Sequence, residues 1–363
     1  MRPKAEIESA VHRRVAQGSH PGFVIGLWRN GEVETIAHGI ADVIGGGPMT
    51  RDLLFELGSI TKVFTGILLA AMADGGEVDV EEPVGRFLEG CVELRPAFAE
   101  QVTLLDLVTH HSGLPVMPAE FDGIEHDGPQ PFYPRESFYK LLREFEPPVE
   151  RGGLYSNVAF GLLGHCLSLR AGLPLATLMR ERIFQPLGMT ATGYDRPKVG
   201  LARGHGPAGN RRPAWDITET MHGAGGLRGP VADLLRLVQA CLEEPGGCVV
   251  RRAVHTSLRP VRHYHGGSDI GLGWEINGDF PPDCFAYKGG STTGFTTCVL
   301  LAPERNEAVV VLSNASQGIR DLAYYAIDSR FGLYPHGCWD PPFIAPPKWF
   351  DSAANPCRRD APV

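Results

Sequence analysis

The stretch that decides the fold reads Phe55-Glu-Leu-Gly-Ser-Ile-Thr-Lys-Val-Phe-Thr-Gly-Ile-Leu-Leu-Ala-Ala-Met-Ala-Asp74. Ile60, Val63, Phe64, Ile67, Leu68 and Ala71 recur at helical spacing, while Gly66, Leu69 and Ala70 make the other faces small or apolar. The pattern predicts a helix buried nearly all round. After Glu56 its one charge before Asp74 is Lys62. A lysine in such a helix loses hydration, which disfavours the ammonium and makes the amine a base. Ser59, three residues earlier, shares its helical face, so the amine can reach the hydroxyl. Ser59 also stands at the helix start, where backbone N–H groups and the helix dipole favour a developing oxyanion. Spacing alone is weak, because Ser-x-x-Lys arises about once or twice by chance in a chain of this length. The second copy, Ser137-Phe-Tyr-Lys140, runs into an amphipathic pattern and reads as a solvated helix.

Outward from this helix, Asn30-Gly31 separates Phe23–Trp28 from Val33–His38 and predicts a hairpin. A second hairpin is expected from Thr296–Leu301 and Ala308–Leu312 around the polar turn 303–307, followed by a helix from Ile319 to Phe331. Between them the helical stretches are Leu104–Val108, Val158–Arg170, Leu175–Phe184 and Val231–Leu242, broken by Gly and Pro. The fold class is therefore α+β, an antiparallel sheet flanked by helices with an inserted, mostly helical domain. We place the sheet domain at 1–76 and 256–334, the helical domain at 77–255, and a proline-rich tail at 335–363.

The 363 residues are 43% hydrophobic and 21% charged, enough for a substantial core in about two domains. A net charge of -8 without a basic run argues against nucleic acid as a partner. No apolar run reaches membrane length. The N-terminal stretch Met1–Val15 is charged throughout and lacks the apolar core of a secretory signal, so the expected location is cytoplasmic, or periplasmic if a signal has been removed. Eight cysteines lie without paired spacing, and reduced thiols are expected. Neither His110-His111 nor His263-Tyr-His265 has a metal-site pattern, so no metal and no organic cofactor is expected.

Two further segments carry chemistry. Tyr155-Ser-Asn157 sits in a loop entering a helix. A phenol near two amines is expected to have a lowered pKa and to relay a proton, and Asn157 to hydrogen-bond a substrate amide. The competing reading makes Asn157 a helix cap and Tyr155 a core residue. Lys288-Gly-Gly290, followed by Ser291, lies just ahead of the final hairpin, where it is expected to face Ser59 across a sheet edge, its glycines letting the backbone approach a ligand. A surface strand lysine is the alternative.

Ser59, Tyr155 and Lys288, in this order, resemble the serine β-lactamase and penicillin-binding-protein superfamily, and most closely its class C β-lactamase-related branch. Supporting stretches similar to that branch are Leu107–Pro115, Ile183–Met189, Gly223–Leu227 and Gly271–Trp274, and the resemblance spans Phe23 to Phe331. It implies a β-lactamase/transpeptidase-like fold and a small acyl substrate. It also implies that Ser59 is acylated, that Lys62 and Tyr155 transfer protons, that Asn157 and Lys288 hold substrate, and that the backbone of Ser59 and Ser291, beside Gly290, forms an oxyanion hole. Gly289 stands where the β-lactamase pattern has threonine or serine, so β-lactam hydrolysis ranks below cleavage of a small ester, amide or peptide, with D-configured acyl groups by analogy. The alternatives are an acyltransferase and a non-catalytic binding module on the same fold.

Overall fold

The structure is a computed structural model that describes residues 1–118, 133–195, 200–264, 267–280 and 283–333. The strands are β1 (Gly22–Arg29), β2 (Glu32–Gly39), β3 (Phe55–Glu56), β4 (Arg228–Gly229), β5 (Arg262–His263), β6 (Asp269–Ile270), β7 (Glu275–Phe280), β8 (Asp283–Ser291), β9 (Thr296–Ala302) and β10 (Glu307–Ser313). The helices are α1 (Lys4–Ala16), α2 (Thr61–Asp74), α3 (Gly85–Leu88), α4 (Pro96–Gln101), α5 (Leu104–Val108), α6 (Arg135–Glu144), α7 (Asn157–Ala171), α8 (Leu175–Met179), α9 (Val231–Leu242), α10 (Val249–Ser257) and α11 (Arg320–Ile327).

Both expected hairpins form. Asn30 and Gly31 take φ of 50° and 90°, the conformation a two-residue β1–β2 turn needs. β9 and β10 pair around a short helical turn, Pro303–Arg305, that ends on left-handed Asn306. These strands belong to one antiparallel sheet in the order β2-β1-β10-β9-β8-β7-β6-β5, with β3 and β4 paired separately. Strand alternation sends Val24, Trp28, Val299, Leu301, Val310 and Leu312 into the larger apolar core, which also contains α2, α7 and α9. Phe23, Ile25, Leu27, Leu300, Val309 and Val311 face the other way, onto α1 and α11. Those two helices, from opposite ends of the chain, are joined by a buried ion pair between Arg14 and Asp321.

The middle of the chain is mainly helical, and the division into sheet and helical domains remains a proposal built on that topology. The helix expected at Leu175–Phe184 is α8 followed by a π-helical turn, Arg180–Phe184. Lys140 on α6 is exposed, in agreement with a solvated helix. Cys284 is disulfide-bonded, so the expectation of reduced thiols fails there; its partner lies outside the described residues. The tail at 335–363 and His265 also lie outside them. Among the described residues, no single helix is long and apolar enough to cross a membrane.

Helix α2 is buried from Thr61 through Ala70, as its composition requires. Its seat depends on Gly66, where a β-carbon would stand 2.0 Å from the backbone oxygen of Leu272 in the loop before β7. No rotamer change relieves that clash. Gly66→Ala is expected to cost about 1–3 kcal/mol, the usual penalty of overpacking. The measurement is the urea midpoint, which should fall at unchanged slope; an unchanged midpoint would show that this contact does not set the helix position.

Candidate active site

The chain reaches Ser59 through a tight 3-10 turn, Gly58–Ile60, one step before α2. Lys62, in the first turn of α2, is 0% exposed. Its Nζ lies 3.1 Å from Ser59 Oγ, 2.6 Å from Asn157 Oδ1 and 2.8 Å from the carbonyl oxygen of Ala224. On the other side of Ser59, the Tyr155 hydroxyl lies 2.6 Å from Oγ. Ser59, Lys62, Tyr155 and Asn157 are thus brought together from two segments nearly a hundred residues apart.

Burial drives Lys62 well below the ordinary lysine range, and the nearby Lys288 cation pushes it in the same direction. A neutral amine has two N–H groups and one lone pair. Asn157 Oδ1 and the Ala224 carbonyl can only accept, whereas a hydroxyl can also donate. The two protons therefore go to Asn157 and Ala224, and the lone pair is left facing the Ser59 hydroxyl.

The loop expectation for Tyr155-Ser-Asn157 holds in part. The cap of α7 is Ser156, whose side chain accepts from the backbone N–H of Ala159 at 2.9 Å. That leaves Asn157, the first residue of the helix, free to point its amide into the site, where Nδ2 donates to Met117 Sδ at 3.3 Å. The expected direction of the Tyr155 pKa is overturned. Although Tyr155 is only half-buried as a residue, enclosure of its hydroxyl pushes the phenol up to about 12, and the hydrogen bond with Ser59 opposes this only partly. Burial is the larger effect, and Lys62, itself driven towards its neutral form, offers little cation to stabilise a phenolate. Tyr155 is therefore a neutral phenol at physiological pH.

Lys288, Gly290 and Ser291 lie at the end of β8, just ahead of the β9–β10 hairpin as expected. β8 has neighbours on both sides, but β7 pairs with it only as far as Tyr287, so Lys288–Ser291 forms a local sheet edge. The turn at Ser59 fills that edge. A β-carbon on Gly290 would stand 2.1 Å from the Leu57 oxygen and 3.0 Å from Ser59 N, and one on Gly58 would stand 2.6 Å from Ser291 N. Only glycines let the two backbones approach so closely, and they bring the N–H groups of Ser59 and Ser291 into one cleft. Lys288 is 8% exposed. Its Nζ lies 5.5 Å from the centre of the Tyr155 ring, where Lys62 Nζ lies at 4.9 Å. Burial lowers Lys288 to about 8 against the opposing pull of Glu275.

Two contributors, Ala224 and Met117, were missed in the sequence. Ala224 acts through its backbone carbonyl, which leaves no side-chain signature; the Gly-rich run around it was the available signal. Tyr287, on the sheet face that carries α1 and α11, puts its hydroxyl 2.5 Å from where a β-carbon of Gly289 would stand, so a phenol from outside the site partly fills the volume of the missing threonine. Met117 holds the amide of Asn157, and nothing in its local pattern announces this. Among the described residues no group of His, Cys, Asp and Glu converges as a metal site.

The Beta-lactamase family model matches residues 7–330. The chain is 27% identical to a beta-lactamase of Pseudomonas fluorescens over 350 residues, covering 85% of this chain and 92% of that one. It is 27% identical to the D-alanyl-D-alanine-carboxypeptidase/endopeptidase AmpH of Escherichia coli (strain K12) over 302 residues, covering 75% and 76%. Solved structures similar to this chain include a carboxypeptidase and a lactamase structure. D-alanine carboxypeptidase AmpC from Burkholderia cenocepacia has 27% identity and a TM-score of 0.75 over 90% of this chain and 100% of that one. A class C beta lactamase from Rhodobacter sphaeroides has 26% identity and a TM-score of 0.75 over 88% and 97%. These relatives are hydrolases by name, and the acyltransferase alternative finds no support among them. With this match running almost the full described length of the sheet and its helices, the chain belongs to the Beta-lactamase family, in its class C branch, and is a serine hydrolase.

Proposed function

We propose that the protein cleaves a small amide, peptide or ester through an acyl-enzyme on Ser59, with a carboxylate-bearing, D-configured peptide as the preferred class and β-lactams as slower substrates. One observation carries the reading: Ser59 Oγ lies between a phenol at 2.6 Å and a fully buried amine at 3.1 Å. The named activities of the relatives, beta-lactamase and D-alanine carboxypeptidase, support the substrate class.

In the proposed reaction Ser59 Oγ attacks the substrate carbonyl while its proton passes to the Lys62 lone pair. The backbone N–H groups of Ser59 and Ser291 bind the oxyanion; each such donor lowers a barrier by about 3–4 kcal/mol. The bond to the leaving group then breaks, and that group takes a proton from the Tyr155 hydroxyl, which Lys62 replenishes. Water completes hydrolysis by the same path in reverse. Asn157 holds the acyl amide, and Lys288 holds the substrate carboxylate. Because Gly289 supplies no hydroxyl, carboxylate binding leans on Lys288 more heavily than in a site with threonine there.

Intact-protein mass after exposure to p-nitrophenyl acetate, a peptide ending in D-Ala-D-Ala, and a penicillin tests the chemistry. Wild type should form adducts or release product, fastest with the peptide, and Ser59→Ala should do neither. Adducts that persist in Ser59→Ala would move the nucleophile elsewhere, and inertness to all three reagents in the wild type would overturn the substrate class.

Tyr155→Phe should lower kcat about 10²–10⁴-fold, the range of a positioned proton donor, with KM little changed. A loss below tenfold would place the relay on Lys62 alone.

The pH dependence separates the two lysines. Lys288 is a cation below about 8 and neutral above it. KM for a carboxylate substrate should therefore stay flat below that point and rise above it, while KM for the neutral ester stays level. Lys288→Met should raise KM for the carboxylate substrate at pH 7 and abolish its pH dependence. Equal pH profiles for both substrates in the wild type would remove Lys288 from carboxylate binding.

A further inference from the structure

The segment Leu107–Pro115 supplies no group to the reaction above, yet it contains a strained residue at the wall of the site. His110 takes φ of 62°, in the left-handed region that a residue with a β-carbon enters at a cost. It is 1% exposed. That conformation lets one residue hold both neighbours of Tyr155. The His110 carbonyl accepts from Leu154 N at 2.9 Å, and its Nδ1 accepts from Ser156 N at 3.1 Å. Its ring lies against the Tyr155 ring with centroids 4.7 Å apart, backed by Phe160 at 4.9 Å and Tyr264 at 5.9 Å. Since the Ser156 N–H is a donor, Nδ1 carries a lone pair and the imidazole is held in the form that accepts there.

We propose that His110 is a positioning residue, which clamps Leu154 and Ser156 and supports the Tyr155 ring so that its hydroxyl stays on Ser59 Oγ. This rests on the reading of Ser59, Lys62 and Tyr155 given above. The strain is retained because a glycine would supply the backbone conformation without the acceptor or the ring. Displacing the phenol by about 1 Å from its 2.6 Å contact would cost on the order of a hundredfold in rate.

The test compares His110→Gly and His110→Asn in the full chain, by steady-state hydrolysis of p-nitrophenyl acetate and by acylation followed as intact mass. Glycine keeps the φ freely but loses acceptor and ring. Asparagine tolerates positive φ and places Oδ1 where Nδ1 stands. His110→Gly is expected to lose about a hundredfold in kcat with KM within about threefold, and His110→Asn to recover most of that loss. In a Tyr155→Phe background the glycine substitution should cost less than about threefold, because its effect passes through the hydroxyl already removed. If the glycine variant does not fold, His110→Ser, too short to reach Ser156, takes its place in the same comparison. A glycine variant as fast as wild type, an asparagine variant as slow as glycine, or an undiminished loss in the Tyr155→Phe background would each overturn the proposal. Ser59→Ala is run beside them. Acylation surviving in Ser59→Ala overturns the parent reading, whereas an inert Ser59→Ala with an unimpaired His110→Gly overturns only the role of His110.

Discussion

Burial strips a lysine of its hydration and favours the neutral form, and the site is organised around the buried Lys62 amine that results. It is fully buried on a helix with no other charged side chain until Asp74, and its three polar neighbours come from three places in the chain: Ser59 one turn back, Asn157 at the start of α7, and the Ala224 carbonyl. The helix must therefore be seated before the site exists. Two contacts of the same segment do that seating: Thr65 Oγ1 donates to the Gly223 carbonyl at 2.8 Å, and Leu57 N donates to the Leu227 carbonyl at 2.9 Å. The Gly-rich run 223–227 thus works as a rail along the helix, and the Ala224 carbonyl is the point on it that meets the amine.

The second cation sets the order in which the site loses protons. Burial and the charge of Lys288 act on Lys62 in one direction, while Lys288 has Glu275 to hold its proton. Lys62 is therefore the first to become neutral, and the remaining charge stays on Lys288. On the proposed chemistry, this division assigns base and electrostatic anchor to two chemically identical side chains by environment alone. Tyr155 stays protonated for a separate reason: what surrounds its hydroxyl is mostly enclosure, and the one specific stabilising contact is with Ser59.

Much of this was legible in the sequence, and the exceptions share a cause. Asn30-Gly31, the apolar runs of β1, β9 and β10, and the all-apolar course of α2 are local patterns, and each predicted its element. Ser59 with Lys62 was legible because a lone lysine among apolar residues is itself a local anomaly. What was hidden depends on segments far apart. Lys288–Ser291 was expected at a sheet edge, but only the sheet shows how that edge arises, with β9 carrying the segment as strand while β7 has already ended. The sign of the Tyr155 shift depends on how completely the fold encloses one oxygen. Ala224 acts through a backbone carbonyl and His110 through a backbone angle, and neither property is written in the identity of the residue. Cys284 resembled the other cysteines because disulfide pairing is a long-range fact.

The same geometry bears on why a peptide would suit this site better than a β-lactam. Acylation asks the same of Ser59, Lys62 and Tyr155 in either case, since both substrates present an amide carbonyl and yield an ester on Oγ. The difference comes after the C–N bond breaks. A peptide releases its amine, which diffuses away and leaves the face of the ester open to water. The ring-opened β-lactam keeps its amine tethered to the acyl group, on the side from which the proton came. Water must then approach past that amine, or the site must hold the acyl group so as to swing it aside. A carboxylate grip shared between a lysine and a threonine hydroxyl would steady the acyl group through that swing. Here Gly289 offers no hydroxyl, and the Tyr287 phenol occupies the adjoining volume from the other direction. On the proposed chemistry, acyl transfer from both substrates is within reach of this chain, and the clearance of the leaving group decides which acyl-enzyme turns over.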